Sequence, residues 1–95
     1  MDLHCHSEAS WDCVTPISDI PGRCLERGIN VQAITDHDEI WGAQQLQRQA
    51  QGSNLTVIVG EEITTAQGEL IGLFLQKLIQ PGLSAVETVR QIREQ

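Results

Sequence analysis

The sequence predicts an α/β domain built on a parallel sheet. Three observations carry that prediction. Short apolar runs rich in β-branched residues recur at Val31–Thr35, Leu55–Val59 and Leu70–Leu75. Stretches with helical periodicity separate the first two runs and close the chain. Clusters of His, Asp and Glu follow the apolar runs directly, and parallel α/β folds place their chemistry at the carboxyl ends of strands.

The elements follow in order. Asp2–Cys5 reads as a first short strand, with a loop through Thr15. A helix is expected between Pro16 and Arg27, stopped by Gly28. Pro21-Gly22 inside it requires either a start near Asp19, with Pro21 in the first turn, or a kink. Val31–Thr35 is the second strand, and Thr35-Asp36-His37-Asp38-Glu39 is the loop after it. Residues 40–51 form the next helix, ended by Gly52. Leu55–Val59 is the clearest buried strand, with Gly60 as its end and Glu61-Glu62 just beyond. Leu70–Leu75 is a further strand, and Pro81-Gly82 a turn. Ser84 then caps a final helix, with Glu87 completing a capping box. The β-α-β-α-β order implies parallel strands joined by right-handed crossovers.

Composition bounds the function. With 95 residues the chain suits one small domain, and such a domain buries only about 60–65 % of its unfolded surface. Its aromatics are Trp11, Trp41 and Phe74 alone, so the core must rest on Ile, Leu, Val and Ala. Thirteen acidic residues against six basic give a net charge of -7. That balance excludes the basic footprint of non-specific nucleic-acid binding, and no direct nucleic-acid contact is expected. It equally disfavours an anionic membrane surface, and no segment reads as a membrane span or signal peptide. An acidic site still handles an anionic substrate when bound cations reverse the local field. Cys5, Cys13 and Cys24 are odd in number and lack C-x-x-C spacing, which fits reduced thiols in a cytoplasm.

Three polar stretches carry the chemistry. In an extended segment residues two apart share a face, so His4 and His6 point the same way. Paired imidazoles beside Asp2 suit a divalent transition metal, although H-x-H alone is a weak signal. Asp12 lies in the loop leaving that segment, where a carboxylate is more often a cap. Asp36-His37-Asp38 offers one imidazole and two carboxylates after the second strand, and helix capping is the competing role. Glu61-Glu62 offers two carboxylates after the third, as turn residues or as metal ligands. The expected common rim raises metal binding above the plainer readings. Imidazole and carboxylate donors without a Cys pair favour Mn, Fe or catalytic Zn over structural Zn.

D-L-H-C-H-S, S-W-D, A-I-T-D-H-D and V-I-V-G-E-E-I-T-T with G-E-L-I-G-L-F-L together resemble the PHP (polymerase and histidinol phosphatase) family over essentially the whole chain. The resemblance implies the N-terminal part of a distorted (β/α)7 barrel, with residues 1–95 as an incomplete PHP domain. It implies a site of two or three divalent metals and hydrolysis of phosphoesters of a small phosphorylated metabolite or nucleotide. By resemblance, His4 and His6 are ligands of one metal, Asp12 and His37 of a second position, and Glu62 the bridging carboxylate. His37 and Asp36 are the implied catalytic pair, with Asp36 and Asp38 also orienting neighbouring groups. Many members carry an H-x-x-G stretch where this chain has Glu69-Leu70-Ile71-Gly72, so either Glu69 replaces that histidine or the ligand is absent. The family's later H-P and D-x-H motifs are not present. The reading is therefore a truncated phosphoesterase with little activity alone. A non-catalytic module of the kind attached to bacterial DNA polymerases is the alternative. Half a barrel would leave sheet edges open to self-association.

Overall fold

The computed structural model describes all 95 residues, Met1–Gln95. A short 3-10 turn, Ile17–Asp19, leads into helix α1 (Ile20–Arg27). Strand β1 (Val31–Ile34), helix α2 (Trp41–Gln49) and strand β2 (Thr56–Thr65) follow. Strand β3 (Gly68–Leu73) and helix α3 (Ala85–Arg93) complete the fold. The order at the Pro21 step is the one with Pro21 in the first helical turn, where a missing N–H costs nothing. Gly28 ends α1 in the left-handed region at φ 69°, as a C-terminal glycine does.

The sheet has the order β1-β2-β3. β1 and β2 are parallel, with Val31 opposite Thr56 and Ile34 opposite Val59. Helix α2 is the crossover between them, and its buried Ala43 and Leu46 face the same core as Val57 and Val59. β3 departs from the expected parallel order. It pairs antiparallel with β2, from Gly60 opposite Leu73 to Thr65 opposite Gly68. The reason is the tight link between the two strands: a parallel return needs a dozen or more residues, whereas a short turn permits only a hairpin. The expected (β/α)7 barrel is not shown, since three strands make an open, mixed sheet.

Two further differences concern strand ends. Asp2–Cys5 is not a strand, although it runs beside β1 in the expected parallel sense. Asp2 makes a single bridge to Gln32, and the Thr35 N–H donates to the Cys5 carbonyl at 2.7 Å. Side chains interrupt the ladder: the His4 N–H turns to Asp2 Oδ1 at 3.1 Å and the Cys5 N–H to Thr35 Oγ1 at 3.3 Å. Conversely, Gly60 does not end the third apolar run. β2 continues through Gly60, Glu61 and Glu62 to Thr65. A Cβ at Gly60 would stand 2.8 Å from the Gly72 carbonyl and 2.9 Å from Thr35 Cγ2. Glycine is there for close packing, and the strand passes from one partner to the other around it.

The core contains no aromatic ring. Ile17, Ile20, Ile34, Ile40, Leu46, Ile63, Leu75 and Ile79 are its largest members. Trp11, Trp41 and Phe74 are exposed. Ser84 caps α3 as expected, its Oγ accepting from the Glu87 N–H at 3.2 Å. The reciprocal half of the capping box is not made, because the Glu87 carboxylate pairs with Arg90 instead. No helix is long and apolar enough to cross a membrane.

Candidate metal centre

Backbone pairing builds the site. Beyond the end of β1 the chain keeps contact with β2: the Glu62 N–H donates to the Asp36 carbonyl at 2.9 Å and the Asp38 N–H to the Glu62 carbonyl at 3.1 Å. The resulting parallel bridge sets His37 directly beside Glu62. Strand alternation then sends Glu62 to the rim and its neighbour Glu61 to the opposite side.

Asp38 accommodates the turn with φ 54°, a conformation that Asp tolerates better than most residues. Its carboxylate accepts from the Thr64 N–H at 2.7 Å and Thr64 Oγ1 at 2.8 Å. Asp36 is placed behind the rim and has no exposed surface. It accepts from the Ser7 N–H at 2.5 Å, Ser7 Oγ at 2.6 Å and Ser10 Oγ at 2.8 Å. Asp36, expected both among the catalytic groups and to orient neighbouring groups, pins the loop after His6 against the end of β1. Ser7 and Ser10 lie inside the D-L-H-C-H-S and S-W-D stretches, but their role shows only in their burial against Asp36.

The five expected ligands converge. His4 Nε2 lies 2.8 Å from Glu62 Oε1, and His6 Nε2 lies 3.8 Å from the same oxygen. His37 Nδ1 is 2.8 Å from Glu62 Oε2, and its Nε2 is 3.0 Å from Asp12 Oδ2. Asp12 Oδ1 reaches His6 Nδ1 at 3.4 Å. Glu69 joins them, its Oε2 lying 3.1 Å from His37 Nδ1. The antiparallel hairpin does this, because it folds Glu69 back beside Thr64 of β2. Three overlapping groups result: His4, His6 and Glu62; His6, Asp12 and His37; His37, Glu62 and Glu69. Within each, the ligating atoms lie within 4.8 Å of one another.

The electrostatics agree with a cation site. Partial desolvation works against ionisation of Glu62, yet Glu69 and the three imidazoles hold its carboxyl below the ordinary value. Glu69 bears the cost: hydrogen bonding to Glu62 and the charge of Glu62 push its carboxyl up. Desolvation opposes ionisation of Asp12 as well, but His37 and His6 beside it hold its carboxyl down. His6 Nε2 is buried and has no hydrogen-bond partner. A buried imidazole nitrogen is normally satisfied, so a free one at the centre of a carboxylate cluster fits a coordination position. The donor set suits Mn, Fe or Zn alike, since imidazole and carboxylate serve all three.

The PHP domain family matches residues 2–87, which include every one of these side chains. The chain belongs to the PHP family. As a PHP protein it is 39 % identical to an uncharacterized protein of Methanocaldococcus jannaschii, over 99 % of this chain and 61 % of that one. It is 32 % identical to a 5'-3' exoribonuclease of Haemophilus influenzae, over 98 % of this chain and 35 % of the relative. It is 34 % identical to the DNA polymerase III alpha subunit of Chlamydia pneumoniae, over 70 % of this chain and 5 % of that subunit. The chain thus spans less than two thirds of the length of these PHP relatives. The PHP family is metal-dependent, and this member carries three candidate ligand groups on one rim.

Proposed function

We propose that this PHP chain carries the first half of a metal-dependent phosphoester hydrolase site. Its substrate class is a small phosphorylated metabolite or nucleotide. One observation carries the reading. His4, His6, Asp12, His37 and Glu62, from three separate stretches, fall into overlapping groups whose candidate ligand atoms lie within 4.8 Å of one another. The similarity to a protein named as an exoribonuclease supports a phosphoester bond as the target.

His4 and His6 are assigned to one cation, Asp12 and His37 to a second, and Glu62 to the position between them. Glu69 takes the third group, where many PHP members have histidine. Bound divalent cations supply an activated water near neutral pH and neutralise charge developing on a phosphoryl group. The chain's own residues hold the geometry. Asp36 fixes Ser7 and Ser10, and through them the loop that delivers Asp12. A carboxylate or histidine at the rim would assist proton transfer.

The test is metal content by elemental analysis, beside a His4→Ala/His6→Ala control, with hydrolysis of p-nitrophenyl phosphate assayed in Mn2+. Bound metal that disappears in the control, together with loss of hydrolysis, is the expected result. Equal metal in both proteins overturns the assignment. A second reading is favoured by the similarity to polymerase subunits: a non-catalytic module that binds metal for stability. It predicts metal loss in the control, a lowered melting temperature and no hydrolysis by either protein.

A further inference from the structure

Trp11 stands beside the metal centre and has no part in it. Its side chain is 83 % exposed, which is unusual for the largest apolar group in the chain. Its ring nevertheless has a defined place, stacked on His37 with centroids 5.3 Å apart and planes inclined by 27°. His37 covers one face of the indole and leaves the other open to solvent.

The backbone on either side of Trp11 is held. Ser10 Oγ donates to Asp36 at 2.8 Å and accepts from the His37 N–H at 2.8 Å. Asp12 is fixed against His37 at 3.0 Å. An exposed tryptophan on a pinned loop loses little freedom when a ligand settles on it. A large rigid surface that is already ordered is what favourable stacking requires.

We propose that the outer face of Trp11 is a stacking platform for the base of a nucleotide whose phosphate group lies at the metal centre. The inference rests on the phosphoester reading above and narrows its substrate class to nucleoside phosphates. The stack on His37 sets the indole one ring spacing from the ligand cluster, so base and phosphate are gripped side by side. Every nucleobase offers a π-face, so such a platform needs no hydrogen-bonding code. The charge balance points the same way. With a net charge of -7 the chain as a whole repels a nucleotide's phosphate. Cations must hold the phosphate, and the remaining affinity must come from an uncharged contact. An aliphatic phosphate ester would leave the indole unused.

The test compares AMP with ribose 5-phosphate, which keeps the phosphate and sugar but lacks the base. Both are titrated calorimetrically into the Mn2+-loaded chain, as wild type, Trp11→Ala and Trp11→Phe. Wild type is expected to bind AMP about tenfold more tightly than ribose 5-phosphate. Trp11→Ala removes that preference, and Trp11→Phe retains most of it. The Mn2+ affinity of each variant, measured alongside, separates stacking on the base from support of His37. Equal binding of the two ligands by wild type, or an undiminished preference in Trp11→Ala, overturns the platform and leaves the phosphoester reading standing. Failure of both phosphates to bind the metal-loaded chain overturns both readings.

Discussion

Asp36 and Glu61 are both buried carboxylates, and their surroundings give them opposite roles. Asp36 receives three hydrogen bonds, two from Ser7 and one from Ser10. Asp36→Ala leaves two buried hydroxyls and one N–H without their acceptor. It should cost roughly 3 kcal/mol in urea denaturation and lower metal occupancy by releasing the loop that carries Asp12. Unchanged stability would show that Ser7 and Ser10 find other partners. Glu61 is equally enclosed, but only its Oε1 has a partner, the Ile79 N–H at 2.9 Å, and Oε2 has none. Burial pushes its carboxyl up to about 7, with Asp38 and Glu39 adding to the rise and the Ile79 N–H opposing it. The folded state therefore holds this proton more tightly than the unfolded chain does. The resulting stability is complete below the ordinary value near 4.5 and is lost as pH rises through about 7. The loss is on the order of 3 kcal/mol. Denaturation midpoints at pH 5 and pH 8 should differ more for wild type than for Glu61→Gln, and equal differences would remove Glu61 from the account.

At the scale of elements, β2 decides the arrangement. Its first half pairs with β1 and its second half with β3, and Gly60 stands at the change of partner. Gly60→Ala would drive a Cβ against the Gly72 carbonyl and Thr35, separating strands that must stay in register for Glu62 to meet His37. A destabilisation of about 1–3 kcal/mol is expected, with a parallel loss of bound metal. A stable variant with full metal content would show that the hairpin absorbs the methyl group. Much of this level was legible from residues alone. The apolar runs around Ala33 and Val57, the Pro21 start, the Gly28 stop and the Ser84 cap each have a local cause. The continuation of β2 through Gly-Glu-Glu was not legible. Gly60 looks like punctuation in sequence, and only the Gly72 carbonyl beside it explains the glycine. The antiparallel sense of β3 escaped for a related reason: an apolar run reads alike in either direction.

For the whole molecule, the open sheet matters most. β3 is paired on one side only, by β2, and its Ile71 is 42 % exposed. Unpaired strand edges are templates for a second chain, and the charge of Glu69 restrains such pairing. Sedimentation velocity across a concentration series is expected to show reversible self-association, stronger at high salt, where repulsion between chains of net charge -7 is screened. A monomer at every concentration and salt level would show that the edge is sufficiently protected. Binding of divalent cations should raise the melting temperature, because the clustered carboxylates repel one another until a cation joins them.

The sequence by itself determined the family, the candidate donor types and the absence of an aromatic core. These follow from residue chemistry and short-range spacing: H-x-H on one extended face, carboxylates after apolar runs, and few rings to bury. It also left Glu69 open as a substitute for a family histidine. Tertiary structure decided that question of place, because the hairpin carries Glu69 back to within 3.1 Å of His37. It also decided which acid faces the rim and which faces the core. Glu61 and Glu62 are identical and adjacent, and strand alternation alone sends one to the imidazoles and the other to Ile79. Asp36 and Asp38 are separated differently, by the positive φ of Asp38 at the turn: Asp36 meets Ser7 and Ser10, and Asp38 meets Thr64. Side-chain identity fixes what chemistry a residue offers, whereas only the packed strands fix which neighbour receives it.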